Sequence, residues 1–198
     1  MSEQSAAVDL LARAFEQSSA VVSAVTPEQM TGPTPCPAFD VRTLVGHMLF
    51  AADRIGAAGR RTPLPEDGPA VTGLADGEWG PAFDKAASEA LTAWAAAGAF
   101  DGDIALPFGT FPAAMVVGIY TLEQVAHAWD LAVATGASHL LDESLAAAIL
   151  PFAEQTVMPD FRGEGPEAPF GYVVDVPADA DAVARLAGFM GRNPTWAA

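Results

Sequence analysis

The stretch from residue 115 to residue 135 constrains the fold most, because it contains no glycine or proline after Gly118. Its apolar residues recur at helical spacing and form one stripe, made of Met115, Ile119, Leu122 and Ala126. A helix with one apolar stripe must bury that stripe against other elements. The stretch therefore predicts a long amphipathic helix inside a helical assembly.

Three polar residues share an adjoining stripe of the same predicted helix. Glu123, His127 and Asp130 recur at i, i+4 and i+7, so neighbouring side chains start about 6 Å apart. A carboxylate and an imidazole one turn apart can bind a single metal ion, but a further ligand must come from elsewhere. His47 is the candidate, since it borders the apolar stripe of a second predicted helix, residues 41–58. A helical bundle would bring His47, Glu123 and His127 together.

The remaining helices are predicted from periodicity and from their N-terminal capping residues. Two are expected at residues 5–24 and 81–97. A fifth helix follows Asp142, and a last one follows Asp179 or Asp181, because an aspartate can cap the first turn. The fold class predicted is all-α: a four-helix bundle with a short extended segment and a C-terminal helix.

Three segments are predicted to be non-helical. Prolines at alternate positions force residues 31–39 into an extended path. Residues 103–112 are expected to form a short hairpin or extended connection, and residues 172–176 a short strand or extended segment. Two Gly/Pro-rich loops, 60–77 and 160–171, could wall the metal end of the bundle. We expect the C-terminal segment, not the 60–77 loop, to cover it.

The length and composition suit a single domain. The chain has 198 residues, of which 51% are hydrophobic, so it can bury a sizeable core. We assign residues 1–198 to one metal-binding domain, with the bundle core at about 5–158 and a C-terminal extension at about 159–198.

Charge and cysteine content limit which partners the protein can bind and indicate its cellular compartment. Nine basic and 25 acidic residues give a net charge of −16, which argues against binding nucleic acid or an anionic membrane surface. No apolar run is long enough to cross a membrane, and no signal peptide is evident. One cysteine, Cys36, precludes an internal disulfide. We expect a cytoplasmic protein; the sequence leaves a homodimer open.

Two motifs resemble those of a known family. Residues 34–47, TPCPAFDVRTLVGH, and residues 123–136, EQVAHAWDLAVATG, are similar to the two metal motifs of DinB-like proteins. The characterised relative is the N-terminal domain of mycothiol-dependent maleylpyruvate isomerase. The ending FMGRNPTW, residues 189–196, resembles the tail of an uncharacterised actinobacterial subgroup. The resemblance thus spans nearly the whole chain.

This resemblance implies a four-helix bundle with a divalent metal, often zinc or nickel, and chemistry with a low-molecular-weight thiol such as mycothiol. The chain is too short for the separate C-terminal domain of the isomerase, which argues against maleylpyruvate as its substrate. His47, Glu123 and His127 are the metal ligands that the matching positions imply.

The ligand types favour zinc but allow other readings. Two imidazoles and one carboxylate with an open position suit catalytic zinc, and nickel could occupy such a site. The same set describes the iron centre of oxygenases, which usually carry it on a β-barrel. The spacing is not His-Glu-x-x-His, so a zincin protease is not expected.

Other polar residues have several interpretations. Asp130 could be a fourth ligand, an acceptor that orients His127, or the partner of an arginine. His139 is expected on the surface, and Cys36 is expected to be structural rather than the nucleophile of a triad. Trp129 and Trp94, like Phe50, are expected in the core.

Three functions fit this pattern. The first is a metal-dependent enzyme in which a mycothiol-like thiol attacks an electrophile. The attack would either transfer the thiol to the electrophile or isomerise the electrophile. The second is a metal-dependent hydrolase with Asp130 as general base. The third is a non-enzymatic, metal-stabilised binding domain, which would have a closed coordination shell and no adjoining pocket. The sequence favours the first, a transferase or isomerase.

Overall fold

The protein folds into six α-helices and one short hairpin within the part of the chain that the structure describes. The structure is a computed structural model that describes residues 3–66, 73–75, 77–164, 168 and 170–197. The helices and strands, in chain order, are α1 Glu3–Ser23, α2 Val41–Gly59, α3 Trp79–Ala95, β1 Asp103–Leu106, β2 Gly109–Pro112, α4 Ala113–Thr135, α5 Glu143–Thr156 and α6 Ala182–Phe189. The all-α prediction is confirmed, since the sheet has two short strands.

The first four helices form a DinB-like bundle. Helix α2 packs against α3 and α4, and helix α1 packs against the same two, so the four helices close a ring. Large apolar side chains fill the centre; Phe83, Leu44 and Ile55 are completely buried. Because α2 and α4 are neighbours in this ring, residues on their facing sides can meet.

Capping residues set where the two central helices begin and end. The Asp40 carboxylate accepts a hydrogen bond of 2.8 Å from the backbone N–H of Thr43 and caps α2, as predicted. Helix α4 ends at Gly136, whose φ of 73° lies in the left-handed region that glycine adopts without strain. The segment before α2 is non-helical, as predicted, but it forms a tight turn rather than an extended path. The Phe39 N–H donates to the Cys36 carbonyl oxygen at 3.0 Å, an antiparallel bridge pairs Pro33 with Asp40, and Thr34 donates to the Phe39 carbonyl oxygen at 2.8 Å.

The predicted hairpin precedes α4 directly. Strands β1 and β2 are antiparallel, with Leu106 opposite Gly109, so Pro107 and Phe108 form a two-residue turn. The Phe108 ring is 61% exposed. The hairpin therefore presents an aromatic residue close to the start of α4.

The last two helices pack together beside α4. Helices α5 and α6 share a second apolar cluster with Leu122, Val125 and Ala126 of α4. Residues 172–176 form no strand; they run extended, and the Val174 N–H donates to the Gly188 carbonyl oxygen at 2.9 Å. The apolar stripe predicted for α4 is thus buried from Leu122 onward, but Met115, at its start, is 37% exposed.

The structure describes part of the Gly/Pro-rich loop at 60–77. Residues 67–72 and 76 lie outside the described residues. None of the helices within the described residues combines the length and hydrophobicity that crossing a bilayer requires.

Candidate metal centre

The three residues predicted as metal ligands lie together between α2 and α4. His47, Glu123 and His127 each offer a ligand atom, and these atoms all lie within 4.8 Å of one another. The Nε2 atom of His47 is 3.3 Å from Oε1 of Glu123. The two imidazole rings are nearly perpendicular, at 85°, with centroids 4.8 Å apart.

This donor set fits a divalent ion of the zinc type. Zinc bonds of about 2.0–2.2 Å in a tetrahedral site place neighbouring ligand atoms about 3.3 Å apart. The pair formed by His47 and Glu123 already has that spacing. The widest spacing, at most 4.8 Å, requires small side-chain adjustments to close around an ion. Two imidazoles and one carboxylate leave a coordination position for an exogenous ligand.

Phe39 covers both imidazoles, which the sequence did not predict. Its ring stacks on His47 with centroids 5.0 Å apart and an interplanar angle of 27°, and it meets His127 edge-on at 6.2 Å. Phe39 directly precedes Asp40, the cap of α2, so the cap that starts the helix also places this ring. An aromatic residue next to the cap, two turns before His47, was the available signal.

A buried ion pair supports His127 from behind. The Nδ1 atom of His127 lies 3.1 Å from Oδ2 of Asp130, a carboxylate with 0% side-chain exposure. Arg192, from the C-terminal segment, donates to both carboxylate oxygens, from Nε at 3.2 Å and from Nη2 at 2.9 Å. Asp130 thus combines two of its predicted roles: it accepts from His127 and pairs with an arginine.

Electrostatics keep Glu123 and His127 in their metal-binding forms. Burial acts to raise the pKa of Glu123, but the hydrogen bond and charge of His47 outweigh it and hold the pKa below its usual value. Burial lowers the pKa of His127, and the charges of His47 and Arg192 add to that effect against the opposing effect of Asp130. At neutral pH the carboxylate is therefore ionised and the His127 imidazole is neutral, as coordination requires.

A pocket of ≈ 310 Å³ opens on the Glu123 side of the cluster. His47 and Glu123 lie in its wall with Phe50, Arg54 and Phe108. Phe50 was predicted to be a core residue; it is half-buried and lines this pocket instead. Arg54 lies with its guanidinium carbon 5.6 Å from the centre of the Phe50 ring.

The prediction that the C-terminal segment covers the metal end is wrong for this pocket. Among the described residues, the lining residue from outside the bundle helices is Phe108 of the hairpin turn. The C-terminal segment lies behind His127, where Arg192 contacts Asp130. The position of the hairpin depends on its direct junction with α4, between Pro112 and Ala113, which helical periodicity does not report.

A second cavity, of ≈ 720 Å³, adjoins the first. Arg54 lines both cavities, and the second is bounded by residues 61–66 and by the hairpin. Arg61 is held there by donating from Nη1 to the Asp103 carbonyl oxygen at 2.9 Å. Together the two cavities give room for a ligand larger than the metal site alone would need.

The surface position predicted for His139 is confirmed, and the surroundings of the Cys36 thiol disfavour its thiolate form. Burial and the charge of Asp130 raise the pKa of the Cys36 thiol, so it remains protonated and is a weak nucleophile. His139 is exposed on a short 3₁₀ turn, Ser138–Leu140. Trp94 and Trp129 are buried, 1% and 7% exposed.

Comparison with known proteins places the cluster within a family. Residues 11–132 match the model of the mycothiol maleylpyruvate isomerase N-terminal domain. The chain belongs to this family. The family match contains all three candidate ligands and Asp130 but ends before α5, so Arg192 lies outside it.

Two relatives extend the match over nearly the whole chain. Two uncharacterized proteins of Mycobacterium tuberculosis, MT0763 of strain CDC 1551 and Rv0738 of strain H37Rv, are each 34% identical over 182 residues. The alignments cover 91% of this chain and 94% of each relative. No solved structure matches the chain.

Proposed function

We propose that this protein is a divalent-metal-dependent enzyme that uses a low-molecular-weight thiol, mycothiol or a close analogue, for S-transfer or isomerisation. The observation that carries the proposal is the position of the His47–Glu123–His127 cluster at the edge of a pocket. The name of the family, mycothiol maleylpyruvate isomerase N-terminal domain, supports mycothiol as the thiol. Zinc is the proposed metal, since two imidazoles and one carboxylate are typical of its catalytic sites; nickel is the alternative.

The metal would supply one property to the reaction. A divalent ion lowers the pKa of a coordinated thiol from about 8.5, so that the thiolate is available at neutral pH. The chain's own residues do the rest. His47, Glu123 and His127 hold the ion, and the Phe39 ring shields the two imidazoles from one side.

The pocket favours an electrophile with both apolar and polar parts. Phe50, Ile119 and Phe108 offer apolar walls, whereas Arg54 and Tyr120 bring polar groups to the same pocket. Burial raises the pKa of Tyr120 to about 12, so its hydroxyl keeps its proton at neutral pH. An electrophile seated here would be adjacent to the open side of the cluster, where Glu123 lines the wall.

The arrangement of Asp130 favours this proposal over the two alternatives. A hydrolase needs a general base that can reach a water molecule, but Asp130 is fully buried and engaged by His127 and Arg192. A closed structural site would need Asp130 as a fourth ligand and no adjoining pocket. The observed carboxylate points to Arg192, and a pocket of ≈ 310 Å³ adjoins the cluster.

Metal analysis and calorimetry test the proposal. Untagged protein should contain one divalent ion per chain, and mycothiol should bind the metal-loaded protein but not the chelated protein. S-methyl mycothiol, which has no ionisable thiol, is the matched ligand control and should bind at least about tenfold more weakly. Equal binding of both ligands, or of neither, to metal-loaded protein would overturn the thiol assignment.

A further inference from the structure

We infer that Arg192, in the C-terminal segment, is a positioning residue of the metal centre and acts on His127 through Asp130. The inference rests on the proposed metal site. It adds to that site a residue that lies outside the segment matching the family, residues 11–132.

Arg192 fixes both oxygens of the Asp130 carboxylate. Its Nε donates to Oδ1 at 3.2 Å and its Nη2 donates to Oδ2 at 2.9 Å, a two-point contact that determines the orientation of the carboxylate plane. Oδ2 is also the oxygen that lies 3.1 Å from Nδ1 of His127. The orientation that Arg192 imposes is therefore the one in which Asp130 accepts from His127.

The Asp130 contact selects the form of His127 that can bind a metal. A hydrogen bond from Nδ1–H to a carboxylate places the proton on Nδ1 and leaves the Nε2 lone pair for a metal ion. The Arg192 guanidinium, whose Nη2 lies 2.9 Å from Oδ2, is the cationic partner that a fully buried carboxylate requires.

The C-terminal segment holds Arg192 rigidly. Its backbone N–H donates to the Ala187 carbonyl oxygen at 2.9 Å, and its Nη1 donates to the Met190 carbonyl oxygen at 3.0 Å. The preceding Gly191 has a φ of 82°, and a Cβ added there would lie 2.5 Å from the backbone of Gly171. The turn that aims Arg192 at Asp130 thus requires glycine and is backed by a neighbouring segment.

Competition titrations with a zinc chelator test the role of Arg192. We expect Arg192→Met to weaken zinc binding by about 10-fold to 100-fold, the range typical of residues that orient a metal ligand. Arg192→Lys should fall between this variant and the natural protein, because lysine keeps the charge but not the two-point contact. Arg185→Met is the matched control: Arg185 is exposed on α6, the helix that precedes Arg192 in the C-terminal segment, and its removal should leave zinc affinity unchanged.

A double-mutant cycle with Asp130→Asn tests the route. If Arg192 acts through Asp130, then Arg192→Met should cause no further loss of affinity in the Asp130→Asn background. An equal loss in both backgrounds would contradict that route. If Arg192→Met alone does not fold, Asp130→Asn can still be compared with the double variant, which removes both buried charges together; a further loss of affinity in the double variant would contradict the route through Asp130.

The side-chain nitrogen shifts of His127 in metal-free protein give a readout independent of the metal. The natural protein should show the proton on Nδ1, and Asp130→Asn and Arg192→Met should change the tautomer populations. Unchanged shifts and unchanged zinc affinity in folded Arg192→Met would overturn the inference. A natural protein that binds no metal would instead overturn the proposed function, while the nitrogen shifts would still test the contact between Arg192, Asp130 and His127.

Discussion

Removing the metal should lower the thermal stability of the natural protein but not of His127→Ala. The candidate ligands lie on α2 and α4, which are far apart in the sequence, so the complete site exists in the folded chain alone. Binding free energy at such a site adds to folding stability. At free zinc about 1,000 times the dissociation constant, the gain is about 4 kcal/mol. For a chain of this size, about 2–4 °C per kcal/mol converts that gain to a rise of roughly 8–16 °C in Tm.

His127→Ala should abolish most of this shift while remaining folded. The variant removes one of three ligands, and Asp130 keeps its ion pair with Arg192, so no buried charge loses its last partner. Melting curves recorded by circular dichroism, with excess zinc and with chelator, measure the shift in each protein. His139→Ala is the matched control, since it removes an exposed histidine away from the cluster and should retain the full shift.

Three results would refute this reasoning. A shift in His127→Ala equal to that in the natural protein would place the metal elsewhere. The absence of any shift in the natural protein, at zinc concentrations that saturate it by direct analysis, would mean that the site does not couple to folding. A shift that is reduced in His139→Ala but not in His127→Ala would show that His139, and not His127, is a metal ligand.

Three further predictions concern packing, acid stability and the thiol. Gly188→Ala should lower the free energy of unfolding in urea by about 1–2 kcal/mol, because the new Cβ would lie 2.6 Å from the Val174 carbonyl oxygen; an unchanged midpoint would contradict that close contact. The hydrogen bond from Arg13 lowers the pKa of Asp142 to about 2, so its stabilisation is present above about pH 4 and is lost as pH falls towards 2. Asp142→Ala should therefore lower the free energy of unfolding, measured in urea, by about 1 kcal/mol at pH 7 and by almost nothing at pH 2. The value at pH 7 is reduced because the Asp142 side chain is 41% exposed to solvent. Cys36→Ala should leave mycothiol affinity, measured by calorimetry, within about twofold of the natural value, because the Cys36 thiol stays protonated; a tenfold loss would show that Cys36 contributes to thiol binding.

Helical periodicity predicted the parts of the site that lie on regular helices. Spacing alone placed Glu123 and His127 on one stripe, and the bundle brought His47 to them. Periodicity did not predict the pocket residues that lie outside that stripe. Phe50 lies at the margin of the α2 stripe and faces the pocket rather than the core. Phe108 reaches the same pocket from a two-residue hairpin turn, whose position depends on backbone geometry that no side-chain period encodes.

The position of Arg192 shows what kind of information the sequence lacked. An aspartate that is buried on an apolar helix needs hydrogen-bonding or cationic partners, because an isolated buried charge costs several kcal/mol. That rule predicts a partner for Asp130 but cannot choose among the nine Lys and Arg residues of the chain. The choice depends on the close approach of Gly171 and Gly191, a backbone contact between two irregular segments.

The same physics predicts how positions 130 and 192 respond to mutation. Removing one partner of a buried ion pair costs about 3–5 kcal/mol, because the other charge stays buried without compensation, whereas replacing both by neutral groups is often close to neutral. Arg192→Met should therefore be less stable in urea unfolding than the double variant Asp130→Asn/Arg192→Met, although the double variant has lost more of the native side-chain contacts. A double variant that is less stable than Arg192→Met by the full effect of Asp130→Asn in the natural protein would show that the two side chains act independently. The contacts of 2.9 Å and 3.2 Å would then contribute little to folding.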